Sequence, residues 1–350
     1  MNIQDIIINE EINIRQAAKV LDKTAKQVLL ITEDNKLKAV LTDGDIRRWI
    51  LKSGDLSAPV KEIANYSPKY ITETERYKAK RLMKKYSISS IPVVSIEGEV
   101  KSIIFWNDLD MSSVEKKPSL DIPVVIMAGG LGTRLYPYTK ILPKPLIPIG
   151  DIPIVERIIN RFKGFGCNEY YLTVNYKKNM IKAYFEEVVK SYNIYYIEED
   201  KPLGTGGSLY YLKDKIKSTF FVSNCDILID SDYEAMYDFH KENKNFITMV
   251  CAVKNMVIPY GVVNLNNEGY IQSMVEKPEY SFLTNTGMYI IEPEVLQLIK
   301  KDTFIHLPDI AKECMDKGMK VGVYPITERA WMDMGQPDEM QEMMKRLEEG

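Results

Sequence analysis

Apolar runs of strand length alternate with amphipathic helical segments along the last two thirds of the chain. The runs PVVIMA, EYYLTVN, TFFVSNCD and FITMVCAV are rich in apolar residues, and helical stretches such as PIVERIINRFKGFG, GGSLYYLKDKIK and DYEAMYDFHKENK separate the strand-like runs. Strands that are apolar on both faces are typical of a buried parallel sheet that helices cover on either side. The pattern from residue 122 onward therefore predicts an α/β fold with a mixed, mostly parallel sheet.

The first 110 residues contain an internal repeat. The segment 27–50 is echoed by the segment 90–109 at an offset of 63, and an amphipathic helix is predicted before each copy, at 14–23 and 77–86. A duplicated unit of this size is expected to bury its sheet against its copy. We therefore expect four parts: the two repeats at 1–60 and 61–112, a polar linker at 113–121, and the α/β domain at 122–350.

Composition narrows the classes of function. The 350 residues have a net charge of −3 and no basic stripe, so we expect neither nucleic acid nor a membrane surface as a partner. No apolar run approaches the roughly 18 residues of a membrane span, and no signal-like segment opens the chain. The four cysteines form no C-x-x-C pair, and only two histidines are present. We expect a cytoplasmic protein that does not depend on histidine chemistry.

A glycine-rich turn follows the first strand of the α/β part, and two cations come after it. Glycines placed after a strand let the backbone approach a ligand and expose N–H groups to phosphate oxygens. Arg134 offers a planar fork of donors, and Lys144 lies on a proline-stiffened segment. The turn is neither a Walker A loop nor a dinucleotide fingerprint, and alone it also fits an ordinary strand-to-helix turn. We interpret the stretch as a triphosphate site formed by Ala128, Gly129, Gly130, Gly132, Thr133, Arg134 and Lys144.

The run AGGLGTRLYPYTKILPKPLIPI resembles the signature of the sugar-1-phosphate nucleotidyltransferases, which make nucleotide sugars from an NTP and a sugar phosphate. Five further segments follow in the family's order: PLGTGGSL at 202–209, NCD at 224–226, YGVV at 260–263, VEKP at 275–278 with NTGMY at 285–289, and WMDMGQPDE at 331–339. The resemblance covers roughly residues 122–345. It implies a Rossmann-like (GT-A-like) nucleotidyltransferase domain.

The same resemblance implies roles for residues in these segments. It implies that Asp226 and Asp333 hold Mg²⁺, and that Asp226 acts with Arg134 and Lys144 in catalysis. Residues implied for the sugar 1-phosphate are Lys277 for its phosphate, Glu276 for its hydroxyl groups, and Gly261, Asn285 and Thr286 for further contacts. By residue type alone, a carboxylate at a strand end also caps a turn, and an Asn-Thr pair is also an ordinary turn signal.

The choice of base is predicted to depend on Glu199. The segment that carries Glu199, Gly204 and Thr205 is implied to bind the nucleotide, and thymidylyltransferases have Gln at the position of Glu199. An ionised carboxylate only accepts hydrogen bonds, and guanine presents two adjacent donors where uracil and thymine present one. We therefore favour GTP, although a Glu that simply faces water is the alternative.

The N-terminal repeat resembles a tandem pair of CBS domains, small modules that often bind adenine nucleotides. In that family a Thr or Ser and an Asp three residues later hold the ligand. The first repeat has Thr42 and Asp45, whereas the second has Phe105 in place of the hydroxyl residue and keeps Asp108. A helix cap formed by Thr42 and Asp45 is an equally weighted alternative.

A CBS pair ahead of such a transferase resembles the glucosamine-1-phosphate guanylyltransferases of bacterial legionaminic acid synthesis. The resemblance implies GTP and glucosamine-1-phosphate as substrates and a role in cell-surface glycans. Because CBS pairs often self-associate, we also expect a homo-oligomer. Three alternatives stay open: a uridylyl-, cytidylyl- or thymidylyltransferase, a guanylyltransferase for mannose- or heptose-1-phosphate, and a nucleotide-sensing regulatory protein without catalysis.

Overall fold

The computed structural model describes residues 3–24, 26–52, 55–86, 88–105 and 120–348. The chain forms two compact units. The first unit comprises Met1–Glu115, Val253–Phe282 and Thr327–Arg329, and the second comprises Lys116–Ala252, Leu283–Ile326 and Ala330–Gly350. The segment predicted as one α/β domain thus contributes two pieces to the first unit.

Two small sheets form the N-terminal part of the first unit. Its elements are β1 (Ile7–Ile8), α1 (Ile14–Thr24), β2 (Val28–Glu33), β3 (Lys36–Thr42), α2 (Asp43–Lys52), β4 (Ile71–Thr72), α3 (Ala79–Tyr86), β5 (Ser90–Val94) and β6 (Val100–Phe105). The sheets β1-β2-β3 and β4-β5-β6 have the same pairing, with the first two strands parallel and the last two antiparallel. The predicted repeat therefore corresponds to two sheets with the same strand order and pairing.

Helix α1 shows why the sequence folds in this way. Its buried residues are Ile14, Ala17, Ala18 and Leu21, which follow the i, i+3, i+4, i+7 spacing of a helix with one apolar face. This face packs into a core formed with β2 and β3. The opposite face of α1 carries charged residues.

A seven-stranded sheet forms the centre of the second unit. The described strands after residue 120 are β7 (Val124–Met127), β8 (Pro148–Ile149), β9 (Ile152–Pro153), β10 (Glu169–Val174), β11 (Asn193–Glu198), β12 (Phe220–Asn224), β13 (Ile227–Ile229), β14 (Ile247–Val257), β15 (Val262–Leu265), β16 (Ile271–Val275), β17 (Glu279–Ile291), β18 (Val321–Thr327) and β19 (Trp331–Asp333). Seven of them form this sheet, and the pair β15–β16 belongs to the first unit. The sheet order is β11-β10-β7-β12-β17-β14-β18. Strands β11, β10, β7 and β12 are parallel, and β17 is antiparallel to β12. The α/β fold with a mixed, mostly parallel sheet is confirmed.

Helices cover both faces of this sheet. They are α4 (Tyr138–Ile141), α5 (Ile154–Lys163), α6 (Lys178–Glu187), α7 (Gly204–Gly207), α8 (Tyr233–Glu242), α9 (Leu307–Asp316) and α10 (Pro337–Glu348). Successive residues of β7 pack into different cores, Val124 and Ile126 with α5 and α8, and Val125 and Met127 with α9. Because both faces of β7 are buried, its end is fixed, and the glycine turn leaves from a rigid support.

The segment GGSLYYLKDKIK, expected as one helix, forms only the short α7 and a 3₁₀ turn at Ser208–Leu212. Other 3₁₀ turns lie at Ile3–Ile6, Val60–Glu62, Glu73–Lys78, Thr133–Leu135, Lys144–Leu146 and Pro293–Leu298. Among the described helices, none combines the length and the hydrophobicity that crossing a bilayer requires.

Candidate functional site

The glycine turn after β7 has one position that only glycine fits and one that faces open space. Gly132 has a φ of +65°, and a Cβ there would lie 2.9 Å from Thr139 Cγ2 and 3.1 Å from Lys144 Cβ. A Cβ on Gly130 would meet no described atom within 4 Å. Gly132 therefore shapes the turn, whereas Gly130 leaves room beside an exposed backbone.

Side chains from α4 and from the loop after β10 hold the turn in place. Thr139 Oγ1 donates to the Gly132 carbonyl at 2.8 Å, and the Tyr176 hydroxyl donates to the Thr139 carbonyl at 3.1 Å. Lys177 Nζ donates to two carbonyls at the end of α4, those of Lys140 and Ile141, each at 2.7 Å. The sequence reasoning missed Tyr176 and Lys177, because nothing in the segment VNYKKN shows which part of the chain it contacts.

A buried ion pair joins the two segments that the sequence singled out for catalysis. Lys144 Nζ pairs with Asp226 Oδ2, and both residues are only 8% exposed. Lys144 begins a 3₁₀ turn stiffened by proline, and Asp226 follows the buried strand β12. Within the described part of the chain, the exposed Arg134 makes no hydrogen bond or ion pair. A buried pair and an unengaged guanidinium suit the binding of a polyanion.

Asp333 is brought next to Asp226 although 107 residues separate them in sequence. Strand β19 pairs with β13 so that Asp333 lies opposite Ile227, and the Met334 N–H donates to the Asp226 carbonyl at 2.8 Å. Burial, together with the charges of Asp226 and Glu339, raises the pKa of Asp333 to about 6. Asp333 Oδ1 is buried and has no hydrogen-bond partner among the described residues.

This pair of carboxylates fits Mg²⁺. One carboxylate oxygen of Asp333 accepts no hydrogen bond from the described residues, and the neighbouring carboxylate disfavours the charged form of Asp333. A hard dication would coordinate this oxygen and stabilise the charged form. Among the described residues no group of three or more His, Cys, Asp or Glu side chains is placed to hold a metal. Mg²⁺ commonly uses one or two carboxylates and completes its shell with phosphate oxygens and water, so two ligands are sufficient.

Glu339 on α10 is an acidic neighbour that the sequence reasoning did not single out. A Cβ on Gly335 would lie 3.1 Å from Glu339 Oε2 and 3.2 Å from Asp333 Oδ1, so both carboxylates lie against the same glycine. Glu339 Oε2 is also buried without a partner among the described residues. The motif WMDMGQPDE already contains Glu339, four residues after Gly335. This spacing of about one helical turn is the sequence feature that could have identified it.

Glu199 lies against the glycine turn and does not face bulk water. It is 5% exposed, its Oε2 accepts the Leu203 N–H at 3.3 Å, and its Oε1 lies 3.1 Å from where a Cβ on Gly129 would stand. Burial raises the pKa of Glu199, and the Leu203 N–H opposes this shift. The role of Glu199 in base recognition stays a prediction.

The glycines of PLGTGGSL have a packing role. Gly204 has a φ of +77°, and a Cβ there would lie 2.5 Å from the Ile305 carbonyl oxygen. Thr205 Oγ1 accepts the Leu307 N–H at 3.2 Å. This segment therefore needs small residues in order to pack on the segment before α9, and nucleotide binding by Gly204 and Thr205 stays a prediction.

Asn285 and Thr286 both make hydrogen bonds within the protein. Asn285 Nδ2 donates to the Tyr289 hydroxyl at 2.6 Å, and its Oδ1 accepts the Gly287 N–H at 3.0 Å. Thr286 is buried, and its Oγ1 donates to the Val250 carbonyl at 2.7 Å. These bonds shape the strand, and sugar contacts by the two residues stay predictions.

The other predicted acceptor residues flank the two-stranded ribbon of β15 and β16 in the first unit, with Gly261 just before β15 and Glu276 and Lys277 just after β16. A Cβ on Gly261 would lie 3.0 Å from Glu276 Oε2, so the two residues are adjacent. Lys277 has a φ of +46°, a left-handed conformation that costs a residue other than glycine of the order of 1–3 kcal/mol. Such conformations are concentrated at ligand-binding sites, although the role of Lys277 itself stays a prediction.

Comparison with known families agrees with this arrangement of motifs. The family model described as nucleotidyl transferase matches residues 123–350, well over half of the chain. The chain belongs to the nucleotidyl transferase family.

Two curated relatives of this nucleotidyl transferase are mannose-1-phosphate guanyltransferases. The one from Saccharomyces cerevisiae is 33% identical over 230 residues, which cover 61% of this chain and 61% of that protein. The one from Aspergillus fumigatus is 35% identical over 225 residues, which cover 61% of this chain and 60% of that protein. The chain therefore spans about three fifths of the length of these relatives.

Solved structures support the nucleotidyl transferase fold. HddC from Yersinia pseudotuberculosis superposes with a TM-score of 0.52 at 23% identity, over 65% of this chain and 99% of that one. A UDP-glucose pyrophosphorylase in complex with UDP-glucose gives a TM-score of 0.51 at 19% identity, over 66% of this chain and 99% of that one. At these identities the likeness concerns the fold alone.

The nucleotidyl transferase also carries a CBS domain, whose family model matches residues 1–52. Thr42 Oγ1 donates to Asp45 Oδ2 at 2.6 Å, and the Thr42 N–H donates to the same oxygen at 2.8 Å. Asp45 also pairs with Arg48. These bonds form a cap at the start of α2 and leave ligand binding there a prediction, while Asp108 lies outside the described residues.

Proposed function

We propose that this nucleotidyl transferase transfers GMP from GTP to a sugar 1-phosphate, with glucosamine-1-phosphate as the favoured acceptor. The products are a GDP-sugar and pyrophosphate. The observation that carries the proposal is the buried Lys144–Asp226 pair beside Asp333, whose carboxylate oxygen lacks a donor, just behind a glycine turn. This arrangement supplies cations and backbone N–H groups to a triphosphate and two carboxylates to a dication.

The reaction needs no general base, because the nucleophile is already ionised at pH 7. An oxygen of the sugar phosphate forms a bond to the α-phosphorus of GTP, and the bond from that phosphorus to the bridging oxygen breaks. Pyrophosphate leaves with the electron pair. Arg134 and the turn N–H groups bind the triphosphate, Lys144 neutralises charge at the reacting phosphate, and Lys277 binds the acceptor phosphate. Catalysis then consists of positioning and charge neutralisation.

Asp226 and Asp333 would hold Mg²⁺, which supplies a Lewis acid for the phosphate oxygens. The protein's own contribution is to fix the two carboxylates by the β13–β19 pairing and by the hydrogen bond between the Met334 N–H and the Asp226 carbonyl. Lys144 is in turn oriented by Asp226.

Two observations support GTP. Glu199 is buried against the glycine turn, where an acceptor-only carboxylate suits the paired donors of guanine and repels the carbonyls of uracil and thymine. The curated relatives are named as guanyltransferases. A uridylyl-, cytidylyl- or thymidylyltransferase activity is the alternative within the family.

The acceptor sugar has three candidates. The CBS module ahead of the transferase favours glucosamine-1-phosphate, as in the legionaminic acid route to cell-surface glycans. The names of the relatives favour mannose-1-phosphate, and heptose-1-phosphate is a third choice. In each case the adjacent Gly261 and Glu276 are suited to bind sugar hydroxyl groups through backbone and carboxylate.

We further propose a cytoplasmic homo-oligomer whose CBS module binds an adenine nucleotide at Thr42 and Asp45. The alternative class of function for the whole protein is a nucleotide sensor without catalysis.

Titration of ATP or AMP into the pyrophosphate-release assay described below tests whether the CBS module regulates the transferase activity. Point variants at Thr42 are preferable to truncation of residues 1–115, because the described residues of that range belong to the same unit as residues 253–282, which include Lys277.

The test is pyrophosphate release with Mg²⁺ across GTP, UTP, CTP, dTTP and ATP, each with glucosamine-, mannose- and heptose-1-phosphate. Release with GTP alone is expected, and the sugar with the highest kcat/KM identifies the acceptor. In the Glu199→Gln variant the preference for GTP over UTP is expected to fall. Release with UTP, CTP or dTTP would overturn the GTP assignment, and no release with any pair would favour the sensor.

A further inference from the structure

Helix α1 of the CBS module lies along the strand that follows Lys277. Lys19 Nζ pairs with Glu279 Oε1 at 2.5 Å, and Arg15 Nε donates to Ser281 Oγ at 2.8 Å. Arg15 and Lys19 are one helical turn apart, and Glu279 and Ser281 lie on one face of β17. Arg15 and Lys19, on one side of the helix, therefore contact Ser281 and Glu279 on one face of the strand.

Further contacts hold α1 and the strand segments of the first unit together. Ser281 Oγ donates to Asn255 Oδ1 at 2.6 Å, which ties β17 to β14. Arg329 Nη1 donates to the carbonyls of Asp22 and Lys23 at 2.8 and 3.1 Å, at the C-terminal end of α1, where a cation is favoured. Val253 packs against the core of the first CBS repeat. The contact consequently involves three separate parts of the sequence.

The geometry limits the movement of Lys277. Only Pro278 separates it from Glu279, and the Pro278 carbonyl accepts the Ile258 N–H at 3.0 Å. The φ of +46° at Lys277, followed by a proline with a fixed φ, leaves the backbone few alternative conformations. A displacement of Glu279 is therefore expected to displace Lys277 as well.

We propose that Lys19 is a positioning residue for the acceptor, so that the CBS module forms part of the sugar-phosphate site through α1. The inference rests on the proposed function, because it takes Lys277 as the ligand of the acceptor phosphate. Lys19 itself does not touch the substrate. It neutralises Glu279 and fixes the start of β17, and this sets the direction of Lys277. The module therefore has a role in acceptor affinity even in the absence of any CBS ligand.

The test is steady-state kinetics of pyrophosphate release. The acceptor is either glucosamine-1-phosphate or mannose-1-phosphate, whichever gives the faster turnover with the native protein. Lys19→Glu places like charges together at Glu279. The KM for the sugar phosphate is expected to rise about threefold to tenfold, whereas the KM for GTP and kcat stay within about twofold. Glu279→Lys is expected to behave in the same way.

Two further variants isolate the pair. The double variant Lys19→Glu with Glu279→Lys restores opposite charges and is expected to recover most of the acceptor affinity. Lys23→Glu makes the same charge change one turn later on α1, at an exposed lysine that has no ion pair within the described residues, and is expected to leave all constants unchanged. Thermal unfolding of each variant shows whether the fold is retained.

Lys277→Ala separates the two levels of the argument. If this variant leaves the KM for the sugar phosphate unchanged, the acceptor role of Lys277 and hence the proposed function fail at that point. If Lys277→Ala raises this KM while Lys19→Glu does not, the positioning role alone is wrong. Equal changes in the KM values for GTP and sugar phosphate, or no recovery in the double variant, would also overturn it.

Discussion

At the scale of single residues, the two glycines of the turn after β7 have different roles. Gly132 combines a left-handed backbone with contacts at 2.9 and 3.1 Å to Thr139 and Lys144, whereas Gly130 faces open space. Gly132→Ala should therefore reduce the free energy of unfolding by roughly 1–2 kcal/mol and also weaken GTP binding. Denaturant unfolding and calorimetric titration with GTP measure the two effects.

Gly130→Ala is the matched variant. Its Cβ meets no described atom, so we expect unfolding to change by less than about 0.5 kcal/mol while GTP affinity falls, because the methyl group occupies the space that a phosphate approaches. A variant that binds GTP as tightly as the native chain would show that the triphosphate does not approach the turn at Gly130.

The buried pair gives a second residue-scale prediction. Asp226→Asn keeps the shape of the side chain but removes a charge that orients Lys144 and would bind Mg²⁺. We expect kcat to fall at least about a hundredfold, with a near-native circular dichroism spectrum. Asp230→Asn, an exposed carboxylate on the same segment that pairs with Arg161, serves as the control. Near-normal turnover by Asp226→Asn would contradict the metal assignment.

At the scale of elements, the loop after β10 supports the turn from outside. Lys177 bonds to the carbonyls of Lys140 and Ile141, and no sequence pattern announces such a bond because its acceptors are backbone atoms. Lys177→Met is expected to raise the KM for GTP roughly threefold to tenfold through a looser α4. The exposed Lys215→Met should have no effect, and a native KM in Lys177→Met would show that α4 is fixed without this bond.

A buried polar network lies at the other end of the sheet, where β12 begins and β17 ends. His240 Nδ1 contacts Thr248 Oγ1 at 2.8 Å and its Nε2 contacts Glu292 Oε1 at 3.2 Å, while Lys241 Nζ donates to Glu292 at 2.7 Å. Burial lowers the pKa of His240 below 6.5, and Glu292 opposes the shift. Burial acts to raise the pKa of Glu292, but the hydrogen bonds from Lys241 and Thr219 lower it overall.

Both shifts make the unfolded chain bind more protons than the folded one. The contribution of His240 is complete above about pH 6.5 and is lost as the pH falls toward its folded pKa, and that of Glu292 is lost below about pH 4.5. We expect the free energy of unfolding to fall between pH 7 and 5, and His240→Gln to flatten this slope. Denaturant midpoints across that range measure it, with the exposed His306→Gln as a control. An unchanged slope in His240→Gln would assign the acid sensitivity elsewhere.

The elements also show how far a sequence carries a structure. Strands β7, β10 and β12 were predictable because burial on both faces makes most of their positions apolar. The proximity of Asp226 and Asp333 could be predicted from the motifs NCD and WMDMGQPDE that contain them, whereas their role as metal ligands stays a prediction. The packing role of Gly204 was not predictable, because the sequence does not distinguish a glycine that packs against the Ile305 carbonyl from a glycine that contacts a phosphate. Nor was the unit that joins α1 to β17, because Lys19 and Glu279 are 260 residues apart and both belong to ordinary polar faces.

At the scale of the whole molecule, the predicted nucleotide residues lie in the second unit and Gly261, Glu276 and Lys277 lie in the first. The two substrates are therefore expected to slow amide hydrogen exchange in different segments of the chain. GTP with Mg²⁺ is expected to slow exchange in residues 128–134 and 144–147. A sugar 1-phosphate is expected to slow exchange in residues 258–281 and, through Glu279 and Ser281, in α1. Inorganic phosphate at the same concentration controls for charge alone. Protection of the ribbon by the sugar phosphate without any change in α1 would mean that the helix does not respond to the acceptor, and protection confined to the second unit would remove Lys277 from the acceptor site.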